Sequence, residues 1–457
     1  MQFDPILANA RFGLGPSPRH DLPLGAGDLL TEITAPDHQA KAFPIRTFSS
    51  FRQDLLVLSD LHKQQRQSDD PQEQEKLRET IRDRRKQLEA QQIAAFRATL
   101  SRAVASRFGF RERLMLFWSD HFTAHAKNGV SRSLTAGYVE EAIRPHINGH
   151  FADMLKAAVT HPVMLDYLDQ NFSAGPNSDA AVKHGRGLNE NLAREVIELH
   201  TLGVGGAYRQ KDVREFARVL AGLRYKHEDG MKFRRYLREP GAKTVLGQRY
   251  ETPSLQDVHA ALEDLARHPD TAHHIARKLA VHFVSDTPDD DLVGHISQAF
   301  RKSGGHLPTV YAALLDHPGA SGLQPGNIKT PIEFVMSSMR ALGATPGHVA
   351  ELTERQIRQY LSVPLTVMGQ RWEQPLGPDG WPEEDDHWIT PQGLAARIEW
   401  AMMVSYQLRG DLPDPRDFLT DALGPDASGA VRFAATNAET RWEGIGLVLA
   451  SPAFQRR

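Results

Sequence analysis

GLNENLAREVIELHTLGVGGAYRQKDVREFARVLAGLRY, residues Gly187 to Tyr225, reads as a helix, a glycine turn and a second helix. Asn189 is a suitable N-cap, because its side-chain oxygen can accept a first-turn N–H. Gly203, with Gly205 and Gly206 behind it, ends the first helix where the chain needs positive φ. At about 100° per residue, Asn191, Arg194, Glu195 and Glu198 fall on one side. Leu192, Ala193, Val196, Ile197 and Leu199 fall on the other, and His200 falls with them, nearly opposite Glu198.

Two readings of that polar side stand. In one it is a solvated face, with His200 a core histidine bonded to backbone. In the other it borders a cleft. There Glu195 and Glu198, three residues apart, repel each other until one keeps a proton near neutral pH, while Arg194 favours both charged forms. On either reading, Glu198 and His200 point too far apart on one straight helix to share a metal.

Working outward toward the start, residues 1–50 are Pro- and Gly-rich and read as an irregular arm with one short helix, Gly27–Ile33. Phe51 to His62 looks helical. Asp70-Pro71 is an N-cap followed by Pro at the first helical position, opening a highly charged helix over 71–106. In GFRERLMLFWSDHFTAHAKNG (Gly109–Gly129), Leu114, Phe117, Trp118, His121 and His125 share one stripe if the helix runs that far. His121 and His125 then have the i, i+4 spacing of two ligands for a divalent metal. Phe122 stands where a zinc peptidase would need Glu. The competing reading is a pair of core histidines. Tyr138 to Ala158 continues helical, and Pro162 opens another short helix. The segment 171–187 is long, polar and glycine-rich and reads as a loop covering a cleft. Its Lys183, His184 and Arg186 precede a helix start, where a small anionic ligand such as a phosphate or carboxylate would be favoured.

Working outward toward the end, 222–250 reads as a β-hairpin insertion turned at Asp229-Gly230. Helices resume over 258–268, 271–283, 290–303, 308–315, 331–342 and 351–363. A Trp/Pro/Gly-rich loop follows over 366–390, where Trp372, Trp381 and Trp388 anchor the loop or line a pocket. Further helices are expected over 391–407 and 438–450.

The 457 residues carry a net charge of −3, so no broad basic field points to nucleic acid. Cysteine is absent, which removes disulfides, thiolate metal sites and cysteine nucleophiles, while 21 histidines leave imidazole sites open. No apolar run is long enough to span a membrane and no export signal is visible, so a cytoplasmic location is expected.

The segments ERLMLFWSDHF, HPVMLDYLDQNFSAGPNS, GLNENLAREVIELHTLGVGGAY, PGAKTVLG, ARKLAVHFV and GQRWEQPLGPDGWP together resemble a large bacterial family known as domain of unknown function 1800. The resemblance brings no activity. It implies that Asn189, Glu190, Asn191, Arg194, Glu195, Glu198 and His200 form a recurrent polar set, which favours the cleft reading. Two departures stand out. Ser119-Asp120-His121 replaces His-Asn-His, and Arg238 stands where many relatives have His. Relatives are often exported. Their genes often lie beside a second, hydrolase-like family, which implies a protein partner.

The expectation is therefore a mainly α, compact multi-helix domain over 1–457 with a small β-hairpin insertion. The expected function is an acid/base or metal-dependent, hydrolase-like enzyme. Its candidate catalytic residues are Asn191, Arg194, Glu195, Glu198 and His200, with His121 and His125 as metal ligands. The alternative is a non-catalytic helical scaffold whose Asn/Arg/Glu set fixes helix packing.

Overall fold

The structure, a computed structural model, describes residues 3–125, 133–320, 322, 326–408, 410–425 and 427–457. These are mainly helical, with two small antiparallel strand pairs. No described helix is long and apolar enough to cross a membrane.

The charged helix runs Pro71–Ala105, with the Asp70 side chain accepting from Gln72 N at 2.9 Å and Pro71 in the first turn. Its 35 residues span roughly 52 Å at ~1.5 Å each. The first half is mostly solvated and packs Ile81 and Leu88 toward the Phe48–Gln67 helix. The second half, from Ile93 to Val104, enters a separate apolar cluster.

Two apolar cores result. One gathers around Phe110–His121, Phe151–Thr160, the 191–201 segment and the helices Leu255–Arg267 and Pro269–Phe283. The other gathers around Pro331–Ala341, Pro391–Leu408 and Arg441–Ala450. Arg340 helps pin the seam. Its fully buried guanidinium donates to the carbonyls of Gly15 (2.9 Å), Ala103 (2.8 Å), Ser106 (2.5 Å) and Arg107 (3.0 Å). A substitution that keeps the apolar stem and removes the head leaves those carbonyls without this donor. Arg340→Met is therefore expected to lower stability by about 3 kcal/mol or more in urea denaturation, since each buried unsatisfied acceptor costs ~1–3 kcal/mol. A loss under ~1 kcal/mol would show that water replaces the guanidinium.

Both strand pairs lie within 222–250. Leu223–Lys226 pairs with Gly230–Phe233 around a three-residue loop, and Gly230 takes φ +75°. Lys243–Val245 pairs with Gln248–Tyr250 around Leu246-Gly247, both at positive φ, the two-residue turn whose twist suits a hairpin.

Several boundaries differ from expectation. The first fifty residues hold three helices, Pro5–Phe12, Ala26–Thr34 and His38–Ala42, because Asp4 and Asp37 cap short segments that carry little periodicity. The tryptophan helix ends at His121, so His125 lies beyond it, and 126–129 fall outside the described residues. The 138–158 span is broken into a π turn at Val139–Ile143, a 3-10 turn at Arg144–His146 and a new helix, with Pro145 interrupting the ladder. The 171–187 segment contains a helix, Asp179–His184, capped by Ser178. Two C-terminal helices, Pro415–Leu423 and Gly429–Asn437, were not expected.

Candidate active site

The helices Phe110–His121 and Pro269–Phe283 run antiparallel and face each other through side chains spaced four apart. Arg113 Nε donates to His282 Nε2 at 3.1 Å. The Phe117 ring stacks near His282 (centroids 5.2 Å), and the His121 ring meets His274 (6.3 Å). His274, Lys278 and His282 thus form one stripe at i, i+4 and i+8. That pattern is readable in the sequence and was passed over there.

Beside this pair, at the seam of the two cores, lies a cavity of about 130 Å³. Met115, Leu116, Ser119 and Asp120 wall one side, and Ile332, Glu333 and Met336 another. Val139 and Glu140 on the π turn, and Trp372, Glu373, Trp381 and Glu383 on the long loop, close it. The loop is held by a close approach. Trp381 N donates to Asp120 Oδ1 at 2.9 Å, and a Cβ on Gly380 would sit 2.4 Å from Asp120 Oδ2. Gly380, at φ +86°, suits both the backbone and the approach.

Two carboxyls stand out on this wall. Asp120 and Glu373 are only partly buried as residues, but protein atoms enclose their carboxyl groups. Burial pushes Asp120 up to about 7. Lys278 and the Trp381 N–H oppose that shift, and Glu383 and Asp379 add to it. Burial, with Glu140 adding, pushes Glu373 up to about 8. Glu373 also holds φ +55°, uncommon for a side chain of its size.

The other charged lining groups are committed. Arg102 grips Glu140 through two bonds (2.5 and 3.0 Å). Arg144 bonds both Glu112 (2.6 Å) and Asp37 (2.7 Å). His282 Nδ1 bonds the Glu383 carboxylate at 2.8 Å, and burial keeps the ring neutral. Glu333 receives Arg113 at 3.0 Å, the Thr330 N–H at 2.9 Å and Arg457.

The residues expected to act from the 187–225 stretch occupy a different surface. Asn189 Oδ1 accepts from Asn191 N at 2.9 Å, and the helix Asn191–Glu195 passes into a π turn over Val196–Thr201. Asn191 is exposed. Arg194 is taken up by Glu198 (3.1 Å), Glu190 (3.5 Å) and Gln210 (2.9 Å), which ties this helix to Gln210–Leu220. Neither Glu195 nor Glu198 lines the cavity. Glu195 is nonetheless raised, by burial first and then by Glu198 and Asp379, and Asp379 also bears on Asp120. The acid side of this helix and the cavity therefore meet at the exposed loop residue Asp379. The 171–187 segment binds elsewhere, with Asn177 held by Glu239 at 2.6 and 2.9 Å. Lys183 and His184 close the last turn of their own helix, where its dipole favours cations.

His121 and His125 lie apart in environment. His121 is buried, with Nε2 3.2 Å from His200 O and its ring 5.9 Å from His200. His125 lines the cavity and packs on Tyr167 (4.6 Å). Among the described residues, no three His, Asp or Glu side chains are grouped to hold a metal ion. Gly203 lets His274 close on this region, since a Cβ there would sit 2.8 Å from His274 Nδ1.

Burial, with Lys278 and His274 adding, lowers His200 to about 3. An unfolded histidine titrates near ~6.5, so below that pH the unfolded chain gains a proton that the folded chain refuses. Stability from this residue is complete above about 6.5 and falls with pH toward 3. Relative to wild type, His200→Leu is expected to gain up to about 1.4 kcal/mol per pH unit below 6.5. Tm of both proteins at pH 7 and pH 5 tests it, and a constant difference would refute neutral burial.

The model of a family described as a protein of unknown function (DUF1800) matches residues 8–456. The chain belongs to the DUF1800 family. No curated protein and no solved structure matches it. In this DUF1800 chain the cavity draws its wall from three of the six family-like segments, those around Trp118, His282 and Trp372.

Proposed function

We propose that the chain is an acid–base enzyme of hydrolase-like chemistry that works in the seam cavity, with Glu373 and Asp120 as its proton-transferring pair. One observation carries this reading. Glu373 has no hydrogen-bond or ion-pair partner among the described residues, and Asp120 uses one oxygen on Trp381, yet both line the same enclosed space. Groups whose proton affinities lie near neutral pH can give and take protons without large cost. Glu373 would protonate a leaving atom, and Asp120 would take a proton from the attacking water. Glu195 acts at the rim through Asp379, while Arg194, Glu190, Glu198 and Gln210 serve as a latch between helices. That latch is the specific support for the scaffold reading of the 189–202 segment. A metal-dependent form of the reaction, with His121 and His125, finds no converging donor set.

Turnover of small chromogenic esters, amides and phosphate esters by wild type, Glu373→Gln and Asp120→Asn tests the proposal. Expected is activity on at least one class, reduced by about 10²–10⁴ in Glu373→Gln. Asp120→Asn should shift the pH profile. Undiminished turnover in both variants, or none by wild type on any class, overturns it.

A further inference from the structure

The guanidinium groups lining the cavity, Arg102 and Arg144, are each held by carboxylates through two or more bonds. His282 is bonded at both ring nitrogens. The lining groups with bonding capacity left over are acids, Glu373 and the second oxygen of Asp120, and they stand among Trp372 and Trp381. An anion entering here would meet no uncommitted cation on the wall. A neutral apolar guest would leave two enclosed carboxyls dry, which is costly. A cation satisfies both, and indole faces add attraction for it.

From this we infer that the cavity takes a small organic cation, a protonated amine on an apolar body, with its ammonium against Glu373 and Asp120 and its body against the tryptophan walls. The inference deepens the enzymatic reading and rests on the cavity being the site. Lys278 does not line the cavity, but its charge opposes a cation at Asp120, so Glu373 is the main contact. At 10–15 Å³ per water position, the space holds on the order of ten waters, which sets the ligand at roughly that many non-hydrogen atoms.

The test is calorimetric titration of the full chain at pH 7 with benzylamine and n-butylamine, against benzyl alcohol and benzoate of matching shape. The amines are expected to bind at least tenfold more tightly than the alcohol or benzoate, and Glu373→Gln to weaken them at least tenfold while its Tm is kept or raised. Benzoate or benzyl alcohol binding equally well, and still depending on Glu373, would overturn the cation and leave the cavity as the site. Binding by none of the four, or amine binding unchanged in Glu373→Gln, would overturn both.

Discussion

Glu333→Gln is expected to destabilise the protein by about 3–5 kcal/mol, although the two side chains are nearly the same shape. Burial alone would raise the Glu333 carboxyl, but Arg113, Arg457 and His282 hold it down to about 2. It is therefore a full negative charge at every ordinary pH. Around it lie the buried heads of Arg113, Arg457 and Lys329. The amide can still cap Thr330 N, so the cap survives and the charge balance does not. Glu383 alone is left to offset the arginines, and Lys329, already lowered by burial to about 7, would sit largely neutral. Urea denaturation at pH 7 measures the loss. A change below ~1 kcal/mol would mean that solvent reaches the cluster.

Glu373→Gln carries the second large effect, with the opposite sign. The wild-type carboxyl titrates near 8 when folded and near 4.5 when unfolded. Between those values the folded state holds a proton that the unfolded state has released, so stability falls as pH rises. The glutamine variant has no such proton. It should match wild type near pH 5 and exceed it by a few kcal/mol near pH 8, as ~1.4 kcal/mol per unit implies. Tm across that range reads it directly. Parallel curves for the two proteins would place the carboxyl in contact with water.

The helical character of the chain was legible because most helices bury one stripe and carry their own stop signals, as at Asp70-Pro71 and Gly203. The site was legible only in fragments. The sequence brought forward Glu195 and Glu198, which are close neighbours on one helix, since spacing along the chain is what periodicity reports. It could not bring forward Glu373, whose loop has no period, or join Arg113 to Glu333 and Arg457, which meet from three remote segments. Asp120 was quoted as a departure from the family pattern, but its enclosure depends on Gly380, some 260 residues later. His125 was placed on a helix face by extending a stripe four residues past the point where the helix ends.

The wide turns at Val139–Ile143 and Val196–Thr201 bear on how the chain tolerates change in length. Each holds a residue more than an ordinary helical turn would accept. Deleting one residue there would let the helix close up and swing everything after it by about 100°. In the first turn that would carry Glu140 away from Arg102, and in the second it would carry His200 out of the interior. At those two places the number of residues, more than their identity, keeps the walls of the cavity and its neighbouring core in register.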